Sequence, residues 1–319
     1  MQSGTMGGAC EKHHNTLKMA DMKMSVLIYG AGVIGSLYAA LLSEAGVETA
    51  VYARGQRLKN LLLNGLRYKK NGIVRTANVR VLDALPEDDI YDFVFLTVRE
   101  NQLHEALTQL RFNKSPCIVT MVNSLEDYRI WAQLCGAGRI LPAFPGAGGG
   151  FEGDVLHAAL TPRLIQPTTF GILSPEQEPR AKQLKALFKR AKIPYQQVKE
   201  MHAWQLCHLA MVVPIADAYY ETDDPANVGA DQTIMAHTAK TLRENFRTLA
   251  HSGVHLSPAK MQIFRFLPLF LLRPALKITF QSSFGDVFMY RHAMKAPDEM
   301  RQLHEQFYAY LSGMRHGAD

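Results

Sequence analysis

The stretch VLIYGAGVIGSLYAALLSEAGVETAVYARGQR, residues 26–57, decides the fold. Val26–Tyr29 is a short run of strand formers, Gly30-Ala31-Gly32-Val33-Ile34-Gly35 spells G-x-G-x-x-G, and Ser36–Glu44 suits a helix that Gly46 stops. A second strand is expected over Glu48–Ala53. Glycine-rich turns are common, but this one follows a strand, opens a helix and meets another strand about twenty residues later, which is the setting of a dinucleotide site. Each glycine has its own duty: Gly30 the sharp turn, Gly32 the close approach of pyrophosphate, Gly35 the packing of helix on strand. The free N–H groups and the positive dipole end at the helix start would face that pyrophosphate.

The end of the second strand bears on the choice of cofactor. An acidic residue there serves the ribose hydroxyl of NAD, whereas Arg accommodates the 2′-phosphate of NADP. Tyr52-Ala53-Arg54-Gly55-Gln56-Arg57 has no acid, so NADP(H) is expected, with Arg54 first and Arg57 second as phosphate ligands. The plain alternative is a solvated basic loop.

The chain has 319 residues and a net charge of +6, enough for two domains with a sizeable core. That charge suits an anionic cofactor and substrate; no RNA-binding signature or basic stripe argues for nucleic acid. Cys10, Cys117, Cys135 and Cys207 lack C-x-x-C spacing, so reduced, cytoplasmic thiols are expected and a metal site is not. Residues 1–22 are polar and read as a flexible extension without a signal peptide, with His13-His14 part of that tail. The most apolar stretch, Ile263–Ile278, is broken by Arg265, Pro268, Arg273 and Pro274. It is too interrupted for a membrane span and reads as a buried helix-turn-helix or a subunit contact, with membrane-surface attachment as the lesser alternative, which leaves a homodimer open.

Farther along, Leu66–Val81 carries a hairpin signal at Lys70-Asn71-Gly72, and Asp92–Val98 and Pro116–Val122 are continuous apolar runs expected of buried parallel strands. Ligands bind outside the carboxyl ends of such strands, which would align Gly30, Arg54, Arg99 and Asn123. The glycine-rich Leu141–Gly153 is either a mobile loop or, functionally, a place of close ligand approach or a lid. Thr168–Leu173 and Tyr195–Val198 read as strands flanking a helix over Pro175–Lys192, and helical periodicity takes over from Met201. The expected domains are therefore 23–198 and a helical 199–319.

Taken together, VLIYGAGVIGSLYAALLSEAG, VYARGQRLKNLLLNGL, DFVFLTVRENQL and IVTMVNSLED resemble the ketopantoate reductase (2-dehydropantoate 2-reductase) family, over about 24–300 and most specifically in the N-terminal half. The resemblance implies an N-terminal Rossmann domain with a parallel sheet, an all-helical C-terminal domain for substrate and dimerisation, and NADPH and a carbonyl substrate in the cleft between them. It assigns the backbone of Gly30, Ala31, Gly32, Val33, Ile34 and Gly35 to the cofactor, with Val98 at the end of the third strand. Arg54 matches the family's 2′-phosphate arginine, Arg99 stands at a lysine near the same phosphate, and Asn123 matches an asparagine beside the nicotinamide. The second half departs from the pattern. Alignment on Pro214 puts Gln205 at the catalytic lysine and Leu209 and Val213 at two asparagines, and the late T-E-[IL]-D stretch is replaced by Ser282-Ser283-Phe284-Gly285-Asp286.

Chemistry in the second half must then rest on other residues. Hydride reduction of a carbonyl builds charge on oxygen and needs a proton donor or fixed cation. Gln205 can donate a hydrogen bond but no proton, and His208, three residues on, shares its helical face. His208 is thus the candidate acid, against the alternative of a core histidine satisfied by a carbonyl. Asp217, Tyr220, Ser283 and His292 are weaker candidates. The expected function is reduction of a 2-oxo acid or related carbonyl, less polar than ketopantoate; an imine or opine reductase and a non-catalytic NADPH sensor remain as alternatives.

Overall fold

Strand β1 (Ser25–Tyr29) is central, and Val26, Leu27 and Ile28 have no exposed surface because it is covered on both faces. The computed structural model describes residues 24–290, 293–294 and 297–316. The 1–22 extension with Cys10 and His13-His14, and the candidate His292, lie outside the described residues.

The chain divides into two compact units. One runs to Val122 and resumes over Tyr128–Gln196; the other comprises Asn123–Asp127 and the chain from Gln197. In the first unit β1 leads into α1 (Val33–Glu44), β2 (Glu48–Tyr52), α2 (Gly55–Asn64), the hairpin β3 (Leu66–Lys70) and β4 (Ile73–Ala77), then β5 (Arg80–Leu82) and β6 (Phe93–Leu96). After α3 (Leu103–Leu110) come β7 (Ile118–Thr120), α4 (Tyr128–Cys135), β8 (Ile140–Phe144), β9 (Ala147–Glu152), β10 (Val155–Leu160), β11 (Thr168–Gly171), α5 (Glu178–Arg190) and β12 (Tyr195–Val198).

The main sheet has the order β12-β11-β8-β7-β6-β1-β2-β5, parallel from β8 through β5 and antiparallel between β11 and β8. This is the Rossmann-type arrangement, with β1 beside both β2 and β6. Register sets Ile28 against Val51 and Phe95, so the β-branched and aromatic side chains form one continuous apolar layer. Against it pack Tyr38, Ala39 and Leu42 of α1 and Leu184, Leu187 and Phe188 of α5.

The glycine-rich Leu141–Gly153 is a correction to the mobile-loop reading. It forms β8 and β9, and β9 pairs antiparallel with β10 in a small sheet of order β4-β3-β10-β9. Its glycines accommodate the protein's own backbone: a Cβ on Gly149 would meet the His157 carbonyl oxygen at 2.3 Å, and one on Gly146 would meet the Gln166 carbonyl at 2.5 Å.

The second unit is helical: α6 (Met201–Tyr220), α7 (Gln232–His251), the single turn α8 (Ile263–Phe266), α9 (Leu269–Phe280) and α10 (Pro297–His316). Its core joins Leu209 and Val213 of α6 to Leu242 and Phe246 of α7 and Phe307 and Leu311 of α10. Leu209 and Val213 are fully buried there, so packing alone accounts for their apolar character and they say nothing about the polarity of a substrate. The 263–278 stretch is only partly buried. Leu272 and Leu276 join the core, while Ile263, Phe266, Phe270, Leu271 and Ile278 are exposed. Among the described residues no helix is long and apolar enough to cross a membrane.

Candidate functional site

The turn between β1 and α1 is held from several sides. Gly30 has φ +109°, a conformation that favours glycine, and its N–H donates to the Tyr52 carbonyl at 3.1 Å. The Thr97 hydroxyl donates to the Gly30 carbonyl at 2.7 Å. Ser36, fully buried, donates from its hydroxyl to the Ala31 carbonyl at 3.1 Å.

The three glycines of the motif are required for different reasons. A Cβ on Gly35 would sit 2.0 Å from the Gly30 carbonyl oxygen and 2.5 Å from the Thr97 hydroxyl, so close helix–strand packing forbids one. At Gly30 the obstacles are the positive φ and the Thr97 and Val98 atoms at 3.0–3.2 Å. Gly32 is unlike both. Its φ of −70° suits any residue, and an added Cβ would meet nothing within 4 Å. No requirement of the protein's own packing explains glycine there. Gly32 is also the N-cap of α1 and offers no side-chain cap to that helix's first N–H groups. Val33 and Ile34, half-buried, carry the first turn, while Ala31 is buried.

The arginines after β2 are placed differently from one another. Arg57 turns back onto the motif: its Nε donates to the Ala31 carbonyl at 3.0 Å, an Nη to the Ser36 hydroxyl at 3.1 Å, and its guanidinium lies 4.4 Å over the Phe151 ring. Burial lowers its pKa from the ordinary value, with Asp154 opposing that shift. It therefore braces the turn. Arg54 is the exposed N-cap residue of α2 and pairs with Glu105 of α3. Glu105 accepts a second bond from Gln109, whose own oxygen accepts from the Tyr29 hydroxyl. Arg99 is exposed just after β6, and Val98 beside it is half-buried.

Glu105, Thr97, Ser36 and Phe151 are the residues of this region that sequence reasoning passed over. Thr97 and Ser36 lie inside motifs already marked, and their partners follow once β1 and β6 are adjacent. Nothing in the local sequence distinguishes Glu105 from any acid on a solvated helix.

In the second unit Asn123 is half-buried, and its Oδ1 is buried with no hydrogen-bond partner among the described residues. Gln205 and His208 both lie on α6, at 1% and 8% exposure. The His208 ring stacks flat on Trp204, one turn earlier, with centroids 5.3 Å apart and planes within 6°. Ser283 is exposed. Asp217 does meet an imidazole, that of His304 on α10 at 2.9 Å, a histidine the sequence did not single out.

Sheet order, crossover and glycine turn together define the Rossmann α/β class. More particularly, residues 26–168 match the family described as ketopantoate reductase PanE/ApbA, and the chain carries a domain of that family. A curated 2-dehydropantoate 2-reductase of Mesorhizobium japonicum is 33% identical over 138 residues, 42% of this chain and 38% of that protein. The match thus spans well under half the length of the curated relative. Among solved structures, a D-mandelate dehydrogenase with NADH and anilino(oxo)acetate superposes with TM-score 0.63 at 15% identity, covering 92% of this chain and 99% of the other. A 2-dehydropantoate 2-reductase from Geobacter metallireducens gives TM-score 0.63 at 15% identity, covering 92% and 100%. At that identity the structural likenesses speak for the fold.

Proposed function

We propose that this protein is an NADPH-dependent oxidoreductase that reduces the carbonyl of a small 2-oxo acid or related compound to the alcohol. The observation that carries the reading is Gly32: it is the one glycine of the three that the fold itself does not require, and a ligand backbone lying against the turn supplies the missing reason. The uncapped start of α1 adds N–H donors for a pyrophosphate. Arg54 and Arg99, both exposed, would hold the 2′-phosphate, and Arg57 would keep the turn in shape. Asn123 would lie beside the nicotinamide, as the family resemblance implies.

The domains would be 23–198 for the cofactor and 199–319 for substrate and self-association. Bound NADPH would supply the hydride. The chain's task is then to stabilise the oxygen as charge develops and to deliver a proton. Gln205 would donate its amide N–H to that oxygen, and His208, its ring fixed against Trp204, would supply the proton. The curated 2-dehydropantoate 2-reductase supports a 2-oxo acid as the substrate class. The buried free thiols Cys117, Cys135 and Cys207 are consistent with the cytoplasm.

The test is NADPH oxidation across a panel of 2-oxo acids, ketones and imines, with His208→Ala alongside. Turnover that falls about a hundredfold in His208→Ala, with NADPH affinity intact, supports both reading and role. One observation favours a second reading, an NADPH-binding sensor: the buried Gln205 cannot release a proton. Tight NADPH binding with no oxidation across the panel would select it.

A further inference from the structure

Much of the apolar 263–278 stretch faces outward instead of into a core. In α8, Phe264 stacks on Phe246 of α7 with ring centroids 5.1 Å apart, while Ile263 and Phe266 are exposed. In α9 the row Leu272, Leu276 and Phe280, four residues apart, enters the core. At about 3.6 residues per turn the opposite arc, roughly 140° wide, carries Phe270, Leu271, Pro274, Ala275 and Ile278, all of them exposed. Phe266, Phe270 and Ile278 are 70%, 73% and 70% exposed. Single apolar side chains at a surface are ordinary, but a row of large ones on successive turns marks an interaction face.

Charge is distributed just as unevenly. Residues 245–285 contain Arg247, Lys260, Arg265, Arg273 and Lys277 and neither Asp nor Glu. Arg273 and Lys277, exposed and one turn apart, lie along one edge of the apolar arc of α9, between it and the core-facing row. The Arg265 guanidinium sits 5.0 Å over the Phe266 ring. Arg247 of α7 donates from Nε to the Arg265 carbonyl at 3.0 Å, which brings another cation to the same turn.

We propose that α8 and α9 form a peripheral docking surface for an anionic phospholipid bilayer. α9 lies in the plane of the headgroups, its Phe270 and Ile278, with Phe266 of α8, enter the acyl boundary, and Arg273 and Lys277 stay level with the phosphates. Apolar burial and attraction to anionic lipid then act together, each on its own edge of one helix. A second copy of the chain suits this face poorly. A twofold interface sets a patch against itself. A patch whose charges are all positive would then meet only positive charges, and like charges opposed across an interface are costly. The surface does not depend on the cofactor reading above.

The experiment is flotation of the full-length protein with vesicles of phosphatidylcholine, with and without phosphatidylserine. The expected result is binding to the phosphatidylserine vesicles that weakens about tenfold without that lipid, and similarly at high salt. Arg273→Gln/Lys277→Gln should remove the preference for phosphatidylserine. Phe266→Ser/Phe270→Ser should weaken binding to both kinds of vesicle tenfold or more while leaving Tm unchanged, because both side chains are already exposed. Trp131 and Trp204 are buried, so the emission of Ile278→Trp reports the new side chain: it should shift to the blue on binding and be quenched by brominated acyl chains. Equal binding to the two kinds of vesicle, binding that survives Phe266→Ser/Phe270→Ser, or an Ile278→Trp emission that vesicles leave unchanged would overturn the proposal. So would a dimer in sedimentation that Phe266→Ser/Phe270→Ser splits, with no flotation of the wild type, since the face would then belong to a second copy. Gly32→Val, in the cofactor turn, should float as the wild type does, so failure of the cofactor reading and failure of this one are separable.

Discussion

Arg54 Nη1 and Glu105 Oε1 lie 2.5 Å apart, joining the start of α2 to the first turn of α3. The pair lowers the Glu105 carboxyl below its ordinary range and raises Arg54, chiefly through their hydrogen bond. Both side chains are about half exposed, so the pair adds little to stability. In the proposed NADPH site its effect is competitive: a 2′-phosphate would have to share or displace Glu105 to reach Arg54. Glu105→Gln should therefore tighten NADPH by roughly three- to tenfold while barely moving NADH, and Arg54→Ala should remove the preference for NADPH. Fluorescence titration with both nucleotides at two salt concentrations checks this. An Arg54→Ala protein with its preference intact would leave the phosphate assignment without support.

The glycine turn allows a test that separates ligand from fold. Gly35→Ala must push against the Gly30 carbonyl and should cost about 2–4 kcal/mol, read as a lower urea midpoint. Gly32→Ala meets open space and should leave the midpoint within about 0.5 kcal/mol of wild type, yet weaken NADPH tenfold or more, about 1.4 kcal/mol. Unchanged affinity in Gly32→Ala would argue that no dinucleotide lies there.

Arg57 should behave as a structural brace. Arg57→Met keeps much of the contact with Phe151 but removes the donors to Ala31 and Ser36. A loss of about 1–3 kcal/mol is expected in denaturant unfolding, because the buried Ala31 carbonyl loses a bond from a charged donor. NADPH should weaken along with it through the loosened turn.

His202 sets a pH dependence in the helical unit. Burial lowers its pKa from the ordinary 6.5, with Asp127 opposing the shift, and its Nε2 lies 3.1 Å from the Tyr310 hydroxyl. For a group with a depressed folded pKa, the unfolded chain takes up the proton first. Its contribution is complete above pH 6.5 and is lost as pH falls through the lower folded value. His202→Gln, which cannot titrate, should lose less stability than wild type between about pH 7.5 and 5.5, as measured by urea midpoints. Parallel pH profiles for the two proteins would contradict this.

Much of the fold was legible because its signals are local. A strand buried on both faces must be apolar throughout, so Val26–Tyr29 and Phe93–Leu96 stand out by composition alone. Gly30 and Gly46 stand where the backbone takes positive φ. The glycine-rich 141–153 stretch was ambiguous for a physical reason: the same absence of Cβ serves a mobile loop, a ligand or, as here, a neighbouring strand. The apolar 263–278 stretch shows a similar limit, since hydrophobicity alone does not say which of its side chains reach a core.

By itself the sequence determined the opening strand-turn-helix-strand of the Rossmann half, its buried parallel strands, and the glycine turn with arginines after it, all of which depend on residues near one another along the chain. Tertiary structure decided which arginine braces the turn and which faces outward, that Glu105 covers Arg54, and that Asp217 meets His304 across 87 positions. Those relationships join residues whose separation in sequence carries no periodic signal. They exist only after the chain has closed its long loops and committed each charge to a partner or to solvent.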